Sequence, residues 1–184
     1  MKKIQLMIVT ILTIMFTNHS LADDKSRRIE LRDFAKKEFS SSKNECESFA
    51  KIAEKSASLT KKTGEWLEDM RLVIIGEDFV NRKNRGQYFH GVQTKASGFK
   101  KELQDNDGSS QVEHAMAGIY LGKLGPAAAA TIGVGKEVID AYKRNLPISK
   151  ADVELFKVAG DIGERVHDQE LKIIGYPIRK TICK

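Results

Sequence analysis

Residues 110–135 read SQVEHAMAGIYLGKLGPAAAATIGVG, and from Ala115 to Gly135 the only charged side chain is Lys123. Small residues dominate the stretch: Ala115, Ala117, Gly118, Gly122, Gly125, Ala127 to Ala130, Gly133 and Gly135. Pro126 stands where a new helix would begin, the first-turn position that proline tolerates. The pattern predicts two buried helices, about Ser110–Leu124 and Pro126–Asn145, meeting at a tight Gly125-Pro126 turn. Gly118-x-x-x-Gly122 is a spacing that lets helix backbones approach closely. Insertion of this hairpin into a bilayer is not expected. Lys123 and Pro126 interrupt it, and small side chains contribute little transfer free energy because that energy scales with apolar area.

Outward from the hairpin the periodicity stays helical, with no sustained strand alternation. Ile29, Leu31, Phe34 and Phe39 predict a first helix over about Ser26–Phe39, followed by a turn and cap cluster at Ser40–Asn44. Cys46, Phe49, Ala50, Ala53 and Ala57 form the narrow apolar stripe of a second helix, which Gly64 ends. Trp66, Leu67, Met70, Val73 and Ile74 mark a short third, ending near Gly76. Residues 76–108 carry scattered glycines and the aromatics Phe79, Tyr88, Phe89 and Phe99, and read as a long irregular connection. After Pro147, Ser149 can cap a helix bearing Val153, Leu155, Phe156, Val158 and Ile162, and a last apolar stretch runs from Leu171 to Ile182. The expected fold is all-α: a single-domain bundle of about six helices around the small-residue hairpin, occupying residues 23–184.

The first 22 residues have a secretory signal peptide's layout: Lys2-Lys3, an apolar run from Ile4 to Phe16, then Ser20-Leu21-Ala22 before Asp23-Asp24. The apolar run falls short of the roughly 20 residues of a spanning helix. The short two-lysine start is of bacterial type, so the expected destination is the periplasm or the exterior. Cleavage after Ala22 would leave 162 of 184 residues, and losing Lys2 and Lys3 takes the formal charge from +6 to +4. That balance suits an acidic envelope surface. It lacks the clustered basic stripe of a nucleic-acid binder; Arg82-Lys83-Asn84-Arg85 reads as a solvated loop. The two cysteines, Cys46 and Cys183, read as a disulfide in an oxidising compartment.

The densest chemistry lies at Asp105-Asn106-Asp107-Gly108-Ser109-Ser110-Gln111-Val112-Glu113-His114, with four ionisable side chains in ten residues. A calcium loop fails on register: with Gly108 sixth, the first and twelfth positions fall on Leu103 and His114 instead of carboxylates. A structural reading makes Ser110 and Glu113 a capping box, with Asp105 and Asp107 as turn residues. A catalytic reading makes Glu113 or His114 a general base, with Asp105 or Asp107 orienting the imidazole. His90, His114 and His167 have no zinc-ligand spacing, and no metal or other cofactor is expected. Asp161 is either paired with Arg165 or exposed at a helix kink. No nucleophile elbow, P-loop, H-E-x-x-H or dinucleotide fingerprint is present. Two functions follow as expectations. The first is an exported helical protein that binds a protein or cell-envelope component. The alternative is an exported hydrolase, directed at cell-wall polymer, that uses Glu113 and His114 with Asp105 or Asp107.

Overall fold

A computed structural model describes residues 24–76, 97–105, 110–145, 147–166 and 170–184. The leader, Arg82–Arg85, His90, Asp107 and His167 lie outside the described residues. Within them the fold is all-α, with seven helices in place of the expected six or so: α1 (24–41), α2 (Glu45–Leu59), α3 (Thr63–Ile74), α4 (Gln111–Gly122), α5 (Pro126–Arg144), α6 (Lys150–Arg165) and α7 (Gly175–Thr181). The seventh comes from the last apolar stretch, which holds a 3-10 turn at Leu171–Ile173 before α7.

Local chemistry sets the helix ends. Asn44 Oδ1 accepts from the Glu47 N–H at 3.0 Å to open α2, and Ser149 Oγ accepts from the Asp152 N–H at 3.1 Å to open α6. Between α4 and α5, Gly125 adopts φ 99°, a left-handed conformation that side-chain-bearing residues avoid, and Pro126 starts the next helix.

One continuous core joins two packed groups of helices. In the first, α1 lays Leu31 and Ala35 against the apolar stripes of α2 and α3, and Trp66 Nε1 donates to the Ala53 carbonyl at 3.0 Å. Arg27 and Arg28 of α1 both reach the buried Asp69 of α3, so that carboxylate is paired. In the second group α6 packs on both α4 and α5. Gly118 and Gly122 face α6 at Phe156, Ala159, Gly160 and Gly163, while Gly133 of α5 accommodates the Phe156 ring.

The predicted disulfide joins Cys46 of α2 to Cys183, with Cα atoms 5.5 Å apart. Around it the Cys46 N–H donates to the Ser97 carbonyl, and an antiparallel bridge pairs Phe99 with Cys183. Arg179 of α7 binds Glu47 and Glu54 of α2, which fastens the C-terminal helix to the same wall.

The hairpin differs from expectation in one respect. Its first helix is buried, but α5 turns only Ala129, Gly133 and Glu137 fully inward and leaves Ile132, Val134, Val138, Ile139 and Tyr142 exposed. A charge-free sequence permits burial, and only a neighbouring element enforces it. Here α6 covers one face of α5.

Close packing makes one glycine pair informative. A Cβ on Gly163 would run into the Ile119 backbone, which cannot rotate away, whereas a Cβ on Gly135 meets nothing within 4 Å. Gly163→Ala is expected to cost about 3 kcal/mol by overpacking. Gly135→Ala should stabilise by about 0.5–1 kcal/mol through helix propensity. Urea unfolding of both variants checks the contrast.

Candidate functional site

Three helices bring charged side chains together in an otherwise apolar interior. Ser110 caps α4, its Oγ accepting from the Glu113 N–H at 3.3 Å. This start places Gln111 and His114 one turn apart on the buried face. Lys136, Glu137 and Asp140 come from the middle of α5. Asp152 comes from the first turn of α6, where the helix N-terminus favours a carboxylate.

His114 is 6% exposed and Asp152 is 1% exposed. His114 Nδ1 lies 3.0 Å from Asp152 Oδ1 and 3.3 Å from Gln111 Oε1. Gln111 is itself oriented by donating from Nε2 to the Leu103 carbonyl at 2.6 Å. On the other side of the ring, Nε2 lies 3.0 Å from Lys136 Nζ and 3.9 Å from Glu137 Oε1. An ammonium has only donors, so Nε2 must accept and the ring proton sits on Nδ1, beside Gln111 Oε1 and the Asp152 carboxylate. Lys136 also donates to Glu137 Oε1 at 2.8 Å and Asp140 Oδ2 at 2.9 Å. The Phe156 ring, 5.5 Å from the imidazole, closes one wall. The Lys136 side chain, 31% exposed, stands on the solvent side.

Burial by itself would raise the Asp152 carboxyl. The hydrogen bond with His114 foremost, then Gln111 and Lys136, outweighs it and holds the group below its ordinary value. Burial would likewise lower the Lys136 ammonium. Hydrogen bonds to Asp140 and Glu137 outweigh that and hold it above its ordinary value. Both groups therefore stay charged at neutral pH.

His114, Glu137 and Asp152 each offer a metal-ligand atom, all within 4.8 Å of one another. One imidazole and two carboxylates suit a divalent metal. Lys136, however, places its ammonium against two of these residues and supplies the positive charge that a metal would bring.

Of the residues singled out in the sequence, His114 is at the centre. Glu113 and Asp105 are half-buried, and neither is among the described partners of the His114 ring. The role expected of Asp105 or Asp107 in orienting the imidazole is filled by Asp152. Asp161 lies half-buried in an uninterrupted α6, lining a groove of about 440 Å³ with Arg165, and no ion pair joins the two among the described residues.

Sequence reasoning missed Lys136, Glu137, Asp140 and Asp152. One signal was available for Glu137: it continues the inward stripe Ala129, Gly133, Glu137 at four-residue steps, and a carboxylate on a core stripe asks for partners. Comparison of the chain with family models, with curated proteins and with solved structures finds no match in any of the three.

Proposed function

We propose that this protein is an exported hydrolase of the cell envelope that uses His114 as its general base. The observation that carries the reading is the buried His114–Asp152 pair, with Nδ1 3.0 Å from the carboxylate beside Gln111 Oε1 and the Nε2 lone pair facing Lys136. Such an imidazole can take a proton at Nε2 while Asp152 stabilises the imidazolium. No hydroxyl or thiol is among the described partners of the ring, and both cysteines are bonded to each other, so the nucleophile in this reading is water. When substrate enters, Lys136 moves off Nε2 and its ammonium meets the oxyanion that develops on the attacked group. Glu137 and Asp140 hold it near that position. As the oxyanion collapses, the bond to the leaving group breaks and that group takes the proton from the His114 imidazolium. The leader pattern and the disulfide support export into an oxidising compartment.

The test is incubation of the oxidised mature protein with isolated peptidoglycan and with envelope lipid, with products read by mass spectrometry. Wild type should release fragments from one of them. His114→Gln should lower the rate about 10²- to 10⁴-fold at a near-native melting temperature. Absence of product from both substrates sinks the reading, as does full activity in His114→Gln.

A second reading, binding without chemistry, is favoured by a separate observation: the uncovered apolar face of α5.

A further inference from the structure

We infer that the outer face of α5 docks the protein onto an anionic phospholipid surface. At 100° per residue, Ala127, Ala128, Thr131, Ile132, Val134, Gly135, Val138, Ile139 and Tyr142 fill an arc of roughly 160° without a charged residue. The helix has 19 residues, so the face is about 28 Å long. Ile132, Val134, Val138 and Ile139 are exposed on it, Tyr142 is 89% exposed, and Leu124 is exposed at the hairpin turn before the helix. Contiguous exposed apolar area of this kind marks an interaction site.

Charge identifies the occupant. Lys143 is exposed at the edge of the face near its C-terminal end, Lys136 borders the same edge, and Lys150 is exposed at the start of α6. The acidic residues of α5 are Glu137, which is buried, and Asp140, which Lys136 engages. An apolar stripe bordered by lysines along one edge and carrying an exposed tyrosine suits a helix lying in a lipid interface, its apolar face among the acyl chains and its ammonium groups at anionic headgroups. A second copy of the chain is disfavoured by the same charges. A two-fold pairing of this face sets Lys143 level with its own copy when the helices run parallel, and the Lys136–Lys143 edge against its own copy when they run antiparallel. The contact is peripheral, since no described helix is long and apolar enough to cross a membrane. Lys136 borders the arc, so docking sets the solvent-facing side of the His114 cluster at the headgroup layer. The inference does not rest on that cluster's chemistry.

Co-sedimentation with phosphatidylcholine vesicles, with and without phosphatidylglycerol, tests the proposal on the oxidised mature protein. Binding is expected only to the phosphatidylglycerol vesicles, and salt should weaken it. Ile139→Asp should weaken binding at least about tenfold by putting a charge in the apolar layer. Lys143→Glu should weaken it at least about fivefold. Both positions are exposed, and thermal melts confirm folding. His114→Gln should bind like wild type, which separates this test from the hydrolase test. Absence of binding to phosphatidylglycerol vesicles overturns the inference, and so does binding that Ile139→Asp leaves unchanged. Light scattering that finds a dimer abolished by Ile139→Asp assigns the face to a second copy and also overturns it.

Discussion

Removing the Cys46–Cys183 bond is expected to destabilise the protein more than any other single change. The two residues are 137 apart in sequence, and closing a loop of that size gives about 5 kcal/mol in the chain-entropy model, an upper figure. The bond also gathers three segments that have little else in common. The start of α2 receives the Ser97 carbonyl, residues 98–100 bond to Ile182 and Lys184, and the sulfur bridge joins α2 to the C-terminus. Without it, the C-terminal end keeps the backbone bridge at Phe99 and the Arg179 contacts, which are partly exposed and worth less. Cys46→Ser, Cys183→Ser and reduction of the wild type should therefore lower stability by a similar amount. About 4 kcal/mol corresponds to a melting-point drop on the order of 10 °C for a domain of this size. A loss under about 1 kcal/mol in denaturant unfolding would show that the backbone contacts hold the end by themselves. The size of the effect bears on export, because a reducing compartment would withhold this contribution.

Asp152→Ala is the second large change, expected to cost about 3 kcal/mol or more. It leaves the buried His114 Nδ1–H without its carboxylate. It also removes a negative charge that offsets Lys136 in the same interior. Asp152→Asn should cost less, because its carbonyl can still accept from Nδ1.

The pH dependence follows from the direction of the shift. The folded Asp152 carboxyl is held below its ordinary value, so its contribution is fully present above about pH 4 and is lost as pH falls through the lower folded value. Lys136 has the opposite sense. Its folded ammonium is held above the ordinary value, so its contribution is complete below about pH 10 and is lost as pH rises further. Wild type should therefore lose stability more steeply on acidification below about pH 4 than Asp152→Asn does, and chemical unfolding across that range reads the difference. Equal acid slopes in the two proteins would remove Asp152 from the network.

The candidate site was half legible. His114 stood out because it sits beside acidic residues at the mouth of an apolar helix. Glu113 stood out for the same reason, yet adjacent residues on a helix point about 100° apart. His114 faces α6 while Glu113 stays half-buried beside its cap. The partner carboxylate lies 38 residues further along at Asp152, past α5 and a turn, and no local spacing points to it. The exposure of α5 was hidden for a related reason. Ala127 to Gly135 has the same small, uncharged texture as the buried α4, and composition does not record which of two similar helices a third one covers.

Caps, turns, helical periodicity and the sulfur pair are properties of neighbouring residues or of chemical identity, and they are readable in the chain because they act over a few bonds or require a unique partner. Ser110, Ser149 and Gly125-Pro126 mark helix ends wherever the helices go, and the two cysteines have only each other. Which faces are covered, and which charges meet, depends on how α6 seats itself between α4 and α5. That seating is set by glycine-to-backbone contacts at Gly122 and Gly163, where a fit within a few tenths of an ångström decides the packing. From it come both the buried His114 cluster and the uncovered face of α5.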